Sequence, residues 1–292
     1  MIPTDSKFKT EFRKVADIES ALHEFVRPFD LQSGELIRAC IFENDNKKVL
    51  AMDAHHIVFD GTSLSILLKE ISRAYDGRDI FEEKTSAFDL STYEEALRKS
   101  GKYTEAEAYY QHRFEGLEIS NDFPNDYADK GVAKLDSVEL VLPSSREDLL
   151  KFIRNNNITE NSFFLSAYAF VLAKFNGTNK SLVCVAESGR HTSMTFNTAG
   201  MLVKTIALPV DLTKESDISR YIVKLQEQFR ESTKYDTYPF SELSNKYDVQ
   251  NDFMFVYQND AFNSLSLCGE QFPVIGIHNP DAINKLTLMM FY

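Results

Sequence analysis

KVLAMDAHHIVFDGTSLSILLKEISRAYDG, residues 48–77, changes its hydrophobic period halfway along. Side chains of a strand alternate between faces, so Val49, Ala51, Asp53 and His55 share one face of an extended 48–54 segment, while Leu50, Met52, Ala54 and His56 share the other. From Ser63 the apolar positions Leu64, Leu67, Leu68, Ile71 and Tyr75 recur at helical spacing, and Asp76-Gly77 closes the run. The stretch therefore reads as a strand feeding an amphipathic helix, with AHHIVFDG (residues 54–61) at the junction.

Upstream, 36–42 reads as a strand, and the polar turn 44–47 makes 48–54 its hairpin partner; Ile18, Leu22 and Phe25 mark a helix over 17–26. Downstream, a helical stretch over 93–117 breaks near Ser100-Gly101, and a loop over 121–130 contains Pro124. Beyond it strands are expected at 137–142, 182–186, 200–209 and 252–257, and helices at 146–155, 161–175 and 218–229; the Phe/Tyr-rich run over 163–175 reads as core. The last residues, LTLMMFY, read as an unfinished strand. Alternating strands and helices give the α/β class, with units expected at 1–130 and 131–292.

The totals exclude several functions. A formal net charge of −12 over 292 residues, with no basic stripe, argues against nucleic acid as a partner. The longest apolar run, 162–175, is too short to span a bilayer, and the opening residues lack the apolar stretch of a signal peptide, so no membrane is expected and the cytoplasm is the default. Cys40, Cys184 and Cys268 lack metal-ligand spacing and read as reduced core thiols; no metal is expected.

The two histidines cannot share one job. His56 continues an apolar row to the strand end, where an imidazole can meet a substrate as a general base; His55 points to the opposite layer as a hydrogen-bonded packing residue. Asp60 is placed to cap the following helix, to orient a histidine or to lock the loop to an arginine, and Gly61 leaves room for close approach. Arg190 is a candidate partner for Asp60, or else serves within its own lobe or at the surface. Ser63 and Ser188 sit in no GxSxG elbow.

HHIVFDG resembles the HHxxxDG signature of the condensation domains of nonribosomal peptide synthetases, within the chloramphenicol-acetyltransferase-like acyltransferases. PFDLQSGELIRACIF before it and SILLKEISRAYDG after it resemble that family's flanks. In the same order, FPND (123–126), VAESGR ending at Arg190, AGMLVKT (199–205) and KYDTYPFSEL (234–243) are similar to its LPxD, AGR, GxFVNT and HQDxPFE blocks. Lys204 stands where the family usually has Asn, and KYDVQND looks like a shortened DxSRNP stretch.

The resemblance implies two chloramphenicol-acetyltransferase-like lobes in a V-shaped pseudo-dimer, the first lobe truncated and the second incomplete at its end. It implies amide formation by transfer of an upstream acyl or peptidyl thioester to the amine of a downstream aminoacyl thioester. His56 would be the catalytic residue, as base, positioning group or transition-state stabiliser, supported by His55, Asp60 and Gly61, with Arg190 in a structural ion pair. No cofactor would be bound: the phosphopantetheine arms of upstream and downstream peptidyl carrier domains are tethered substrates, and an adenylation domain is expected in the same chain. Alternatives are a free-standing acyltransferase of the same superfamily, a noncatalytic carrier-docking module and, third, an epimerisation domain, in which Trp usually follows DGxS where Leu64 stands here.

Overall fold

The computed structural model describes residues 8–32, 34–119, 136–142, 145–214, 217–258, 264–277 and 284–291. The FPND block and the 121–130 loop lie outside them. Two sheets organise the chain. The first orders β1 (Glu11–Lys14), β2 (Ile37–Glu43) and β3 (Lys48–Ala54), with β1 parallel and β3 antiparallel to the central β2. Helix α1 (Ile18–Phe25), capped by Asp17, covers one face, where Ile18, Phe25, Cys40, Phe42 and Ala51 form a small core. After β3 the chain turns through 55–59 into α2 (Gly61–Tyr75).

Helices α3 (Ala87–Arg98) and α4 (Gly101–Phe114) follow, separated at Lys99-Ser100, where Ser100 becomes the N-cap of α4. The second half contributes α5 (Arg146–Asn156), α6 (Glu160–Phe175), β4 (Lys180–Glu187), β5 (Lys204–Asp211), α7 (Ile218–Ser232), α8 (Phe240–Tyr247) and β6 (Phe253–Gln258). A short hairpin of β7 (Ser264–Leu267) and β8 (Glu270–Pro273) and then β9 (Leu286–Phe291) complete the described elements. The second sheet runs β5-β4-β6-β9, antiparallel at β4–β5 and parallel at β4–β6 and β6–β9.

This sheet is covered on both sides, which is why its central strands are apolar almost without interruption. Val183, Val185, Ile206, Leu208 and Phe255 meet Leu165, Leu172, Ile222 and Leu225 of α6 and α7. Cys184 and Ala207 face Ala106, Tyr110 and Phe114 of α4 and Leu243 of α8. Helix α4 thus lies against the second sheet, although it precedes residue 130.

Three expectations need correcting. Residues 137–142 form no strand: Val138, Leu140 and Leu142 alternate as a strand would, but Val138, Leu140 and Val141 are more than 80 % exposed and the segment pairs with no described strand. Only one face of α6 is core, since Phe170, Val171 and Phe175 are exposed. Cys268 is also exposed, in the β7–β8 turn at φ 48°, whereas Cys40 and Cys184 are buried. Among the described residues, no helix is long and apolar enough to cross a membrane.

Candidate functional site

The junction AHHIVFDG is built from its neighbours. On the α1 side of the first sheet, Arg38 of β2 pairs with Asp53 of β3 (Nε to Oδ2, 2.8 Å), and its guanidinium lies 3.9 Å from the centre of the Phe29 ring. Phe29 in turn meets His55 edge to face at 5.9 Å. The PFDL and LIRA segments therefore hold one wall of the motif: a cation stacked on an aromatic ring that supports an imidazole. His55 is half-buried; its Nδ1 accepts the Ile57 amide (3.1 Å), and its own amide donates to Leu36 O (2.9 Å).

His56 behaves differently. It is exposed in the turn after β3, and among the described residues its ring is fixed by one contact, Nδ1 to the carbonyl oxygen of Phe59 at 2.7 Å. A carbonyl oxygen only accepts, so Nδ1 is the donor in this contact, and in the neutral ring Nε2 is the nitrogen with the lone pair.

Four residues on, Asp60 is buried completely at the side chain. It is the N-cap of α2, accepting from Ser63 N (2.8 Å) and Ser63 Oγ (2.8 Å). Arg190, 3 % exposed at the side chain, reaches it with a two-pronged contact: Nη1 to Oδ2 at 2.8 Å and Nη2 to Oδ1 at 3.0 Å. The Leu202 amide adds a bond to Oδ2 at 3.0 Å. Burial pushes the Asp60 carboxyl up, but the bonds from Arg190, Leu202 and Ser63 outweigh it and hold the carboxyl below the usual range.

The cation is as fully engaged. Arg190 Nε and Nη2 donate to Thr198 O (3.2 and 2.9 Å), Nη1 to Ser188 O (3.1 Å), and Nη2 also approaches Gly200 O (3.3 Å). Ser63 Oγ lies 2.9 Å from both the amide and the carbonyl of Gly200. The loop between β4 and β5 is thereby tied to the start of α2, and from its other side Thr198 Oγ1 bonds Thr85 O (2.6 Å) and the Ala199 amide bonds Glu83 (3.0 Å). Two glycines make the approach feasible. A Cβ on Gly189, at φ 66°, would lie 2.0 Å from Leu202 O, and one on Gly200 would lie 2.6 Å from the Cβ of Ala87.

The structure thus brings together Asp60, Gly61 at the first turn of α2 and Arg190, and sets His55 and His56 in the adjoining turn. The sequence reading missed Ser63, Thr198, Gly200 and Leu202 as parts of the junction; the AGMLVKT block was the one available signal. Lys204 at the start of β5, where the resembled block has Asn, is ion-paired with Glu94 of α3.

A family model, "Condensation domain", matches residues 3–276, and the chain belongs to that family. Tyrocidine synthase 2 of Brevibacillus parabrevis is 28 % identical over 262 residues, covering 86 % of this chain and 7 % of that protein. Gramicidin S synthase 2 of Brevibacillus brevis is 26 % identical over 258 residues, 87 % of this chain and 6 % of its own length. The chain spans a small fraction of the curated relatives it matches.

Solved structures share the fold. The first condensation domain of the calcium-dependent antibiotic synthetase, solved with a substrate analogue, superposes with TM-score 0.67 at 17 % identity over 86 % of this chain and 62 % of that one. The epimerization domain from the third module of tyrocidine synthetase B gives 0.75 at 20 % identity over 99 % and 72 %. A four-domain nonribosomal peptide synthetase bound to AMP and glycine gives 0.79 at 18 % over 98 % and 24 %. The fold is the α/β, chloramphenicol-acetyltransferase-like one of the condensation domains.

Proposed function

We propose that this chain forms an amide bond between two carrier-bound substrates, and that His56 is its catalytic residue. The observation that carries the reading is the Phe59 carbonyl on His56 Nδ1, which leaves a lone pair at Nε2 of an exposed imidazole. The donor is an acyl or peptidyl thioester, the acceptor the amine of an aminoacyl thioester. The amine nitrogen attacks the donor carbonyl carbon, the new C–N bond replaces the C–S bond, the amine gives up a proton to Nε2, and the departing sulfur ends as a thiol. Holding two tethered reactants together supplies much of the acceleration, with effective molarities of ~10⁵ M or more for well-oriented groups. Proton transfer through a placed imidazole adds ~10² to 10⁴ fold.

In this reading Asp60 and Arg190 carry no proton. They brace the turn that presents His56, with Gly61 allowing the chain to enter α2 and His55 packing behind. The chain divides into a unit over 1–130, whose α4 lies across onto the other unit, and a unit over 131–292. The phosphopantetheine arms are substrates delivered by upstream and downstream peptidyl carrier domains, with an adenylation domain in the same synthetase. The setting is cytoplasmic. Similarity to segments of much longer synthetases supports carrier-linked chemistry over a free-standing acyltransferase.

The test supplies the chain, within its module, with loaded donor and acceptor carriers and follows the elongated product by intact mass. His56→Ala is expected to lose about 10² to 10⁴ fold in rate. Likeness to an epimerization domain gives a second reading, in which the donor α-carbon exchanges its hydrogen for deuterium and no chain elongates. Undiminished elongation by His56→Ala would remove the histidine from the chemistry, and neither elongation nor exchange by the unmutated chain would leave a carrier-docking role.

A further inference from the structure

Away from the motif, three side chains from two loops converge on one point. Glu187 closes β4, His191 follows the Ser188-Gly189-Arg190 turn, and Asp236 lies in the connection between α7 and α8. His191 Nε2 is 3.1 Å from Asp236 Oδ2 and 3.4 Å from Glu187 Oε2, and one ligand atom from each residue lies within 4.8 Å of the other two. Among the described residues this is the group that brings three such ligands together.

The His191 ring cannot serve both carboxylates at once, and the donors Glu187 has besides it come from its own turn, Gly189 N and Ser188 Oγ. Nε2 carries at most one hydrogen, so it can donate to one of the two carboxylates, and the other then faces a second anion without a donor from the ring. A cation lying between all three would satisfy both carboxylates and accept the imidazole lone pair. A tetrahedral centre with bonds of about 2.0 to 2.1 Å holds its ligand atoms about 3.3 to 3.4 Å apart. The two separations from His191 Nε2, 3.1 and 3.4 Å, are of the size such a centre needs.

The ligands are also set in advance. Glu187 Oε2 accepts the Gly189 amide at 2.6 Å, and Ser188 Oγ lies 3.3 Å from Oε1, which fixes the carboxylate within the turn while leaving lone pairs free. Both carboxylates are 17 % exposed and the imidazole 45 %, so the third side of the group opens to solvent.

We propose that Glu187, His191 and Asp236 bind a zinc ion through one nitrogen and two carboxylate oxygens, with water at the fourth position. An imidazole among oxygen ligands favours a first-row transition ion over magnesium or calcium. The ion staples the turn that carries Arg190 to the α7–α8 connection. It is separate from the His56 chemistry and does not depend on it.

Isothermal titration of the chelator-treated, purified chain with zinc chloride should show one site. Cobalt(II) should give the visible ligand-field band of a tetrahedral complex. His191→Ala and Asp236→Asn should each weaken zinc uptake at least about tenfold, because even residues that only support metal ligands cost 10- to 100-fold when lost. His112→Ala should leave it unchanged. Zinc should raise the melting temperature of the unmutated chain and not that of the variants. Glu187→Gln, which keeps the size of the side chain, reads the same affinity loss should His191→Ala fold poorly. Absence of one-to-one uptake, or equal affinity in all the variants, would overturn the site and leave His191 as a hydrogen-bonding bridge between two loops.

Discussion

His56 and Asp60 stand four residues apart on one turn and live under opposite rules. Asp60 has no exposed side-chain surface and accepts bonds from three other residues, whereas His56 is exposed and held by a single backbone carbonyl. A buried carboxylate is tolerable only when its lone pairs are filled, and Arg190, Ser63 and the Leu202 amide all donate to Asp60. An exposed imidazole with one nitrogen anchored is free to use the other. Under the proposed function, stability and reactivity are thus separated within one short loop: Asp60 gives the turn its shape, and His56 is the group that shape puts forward.

That contrast can be broken most forcefully at the ion pair. Arg190→Ala leaves a buried carboxylate without its cation and should cost about 3 to 5 kcal/mol, read as a lower denaturant midpoint. The same pair shapes the acid limb. Because the folded-state carboxyl of Asp60 is held below its ordinary value, its stabilising contribution is complete above the unfolded-chain value of about 4 and is lost as pH falls through the depressed folded value. In Asp60→Asn the melting temperature should therefore fall less steeply across that acid window than in the parent, measured by thermal scans at successive pH values.

Next comes Gly189→Ala, which places a Cβ against the Leu202 carbonyl at a left-handed position and should cost about 2 kcal/mol or more. His55→Ala removes one acceptor and an edge-to-face contact with Phe29, for about 1 kcal/mol. Smallest is His56→Ala, whose melting temperature should stay close to the parent's, within about 0.5 kcal/mol as for other exposed sites. A large loss of stability at His56 would erase the distinction between the two residues.

Much of this was legible because period is a local property. The switch from alternation in 48–54 to helical spacing after Ser63 gave β3 and α2, and the hairpin partner β2 followed from the polar turn at 44–47. Strand β1 went unread, since four residues carry little pattern and its parallel partner lies beyond a helix. Residues 137–142 misled for the opposite reason: SVELVL has the alternation of a strand but no described strand to pair with, and pairing is what makes a strand. Asp60 and Arg190 were both singled out from motifs, yet Ser63 looked like a stray hydroxyl, because its value lies in reaching Gly200, 137 residues away. Likewise Glu187, His191 and Asp236 have no ligand spacing in sequence. Only the fold sets them side by side.

The span of the Asp60–Arg190 bond also sets an order of assembly. The two residues are 130 positions apart, and chains grow at about 5 to 20 residues per second, so roughly 6 to 26 s of synthesis separate the anion from its cation. During that interval α2 can start with Asp60 capping it through Ser63 alone, the rest of the carboxylate still hydrated. The turn bearing His56 takes its final shape only when the β4–β5 loop arrives, so the nascent chain is foldable at this point well before it is competent.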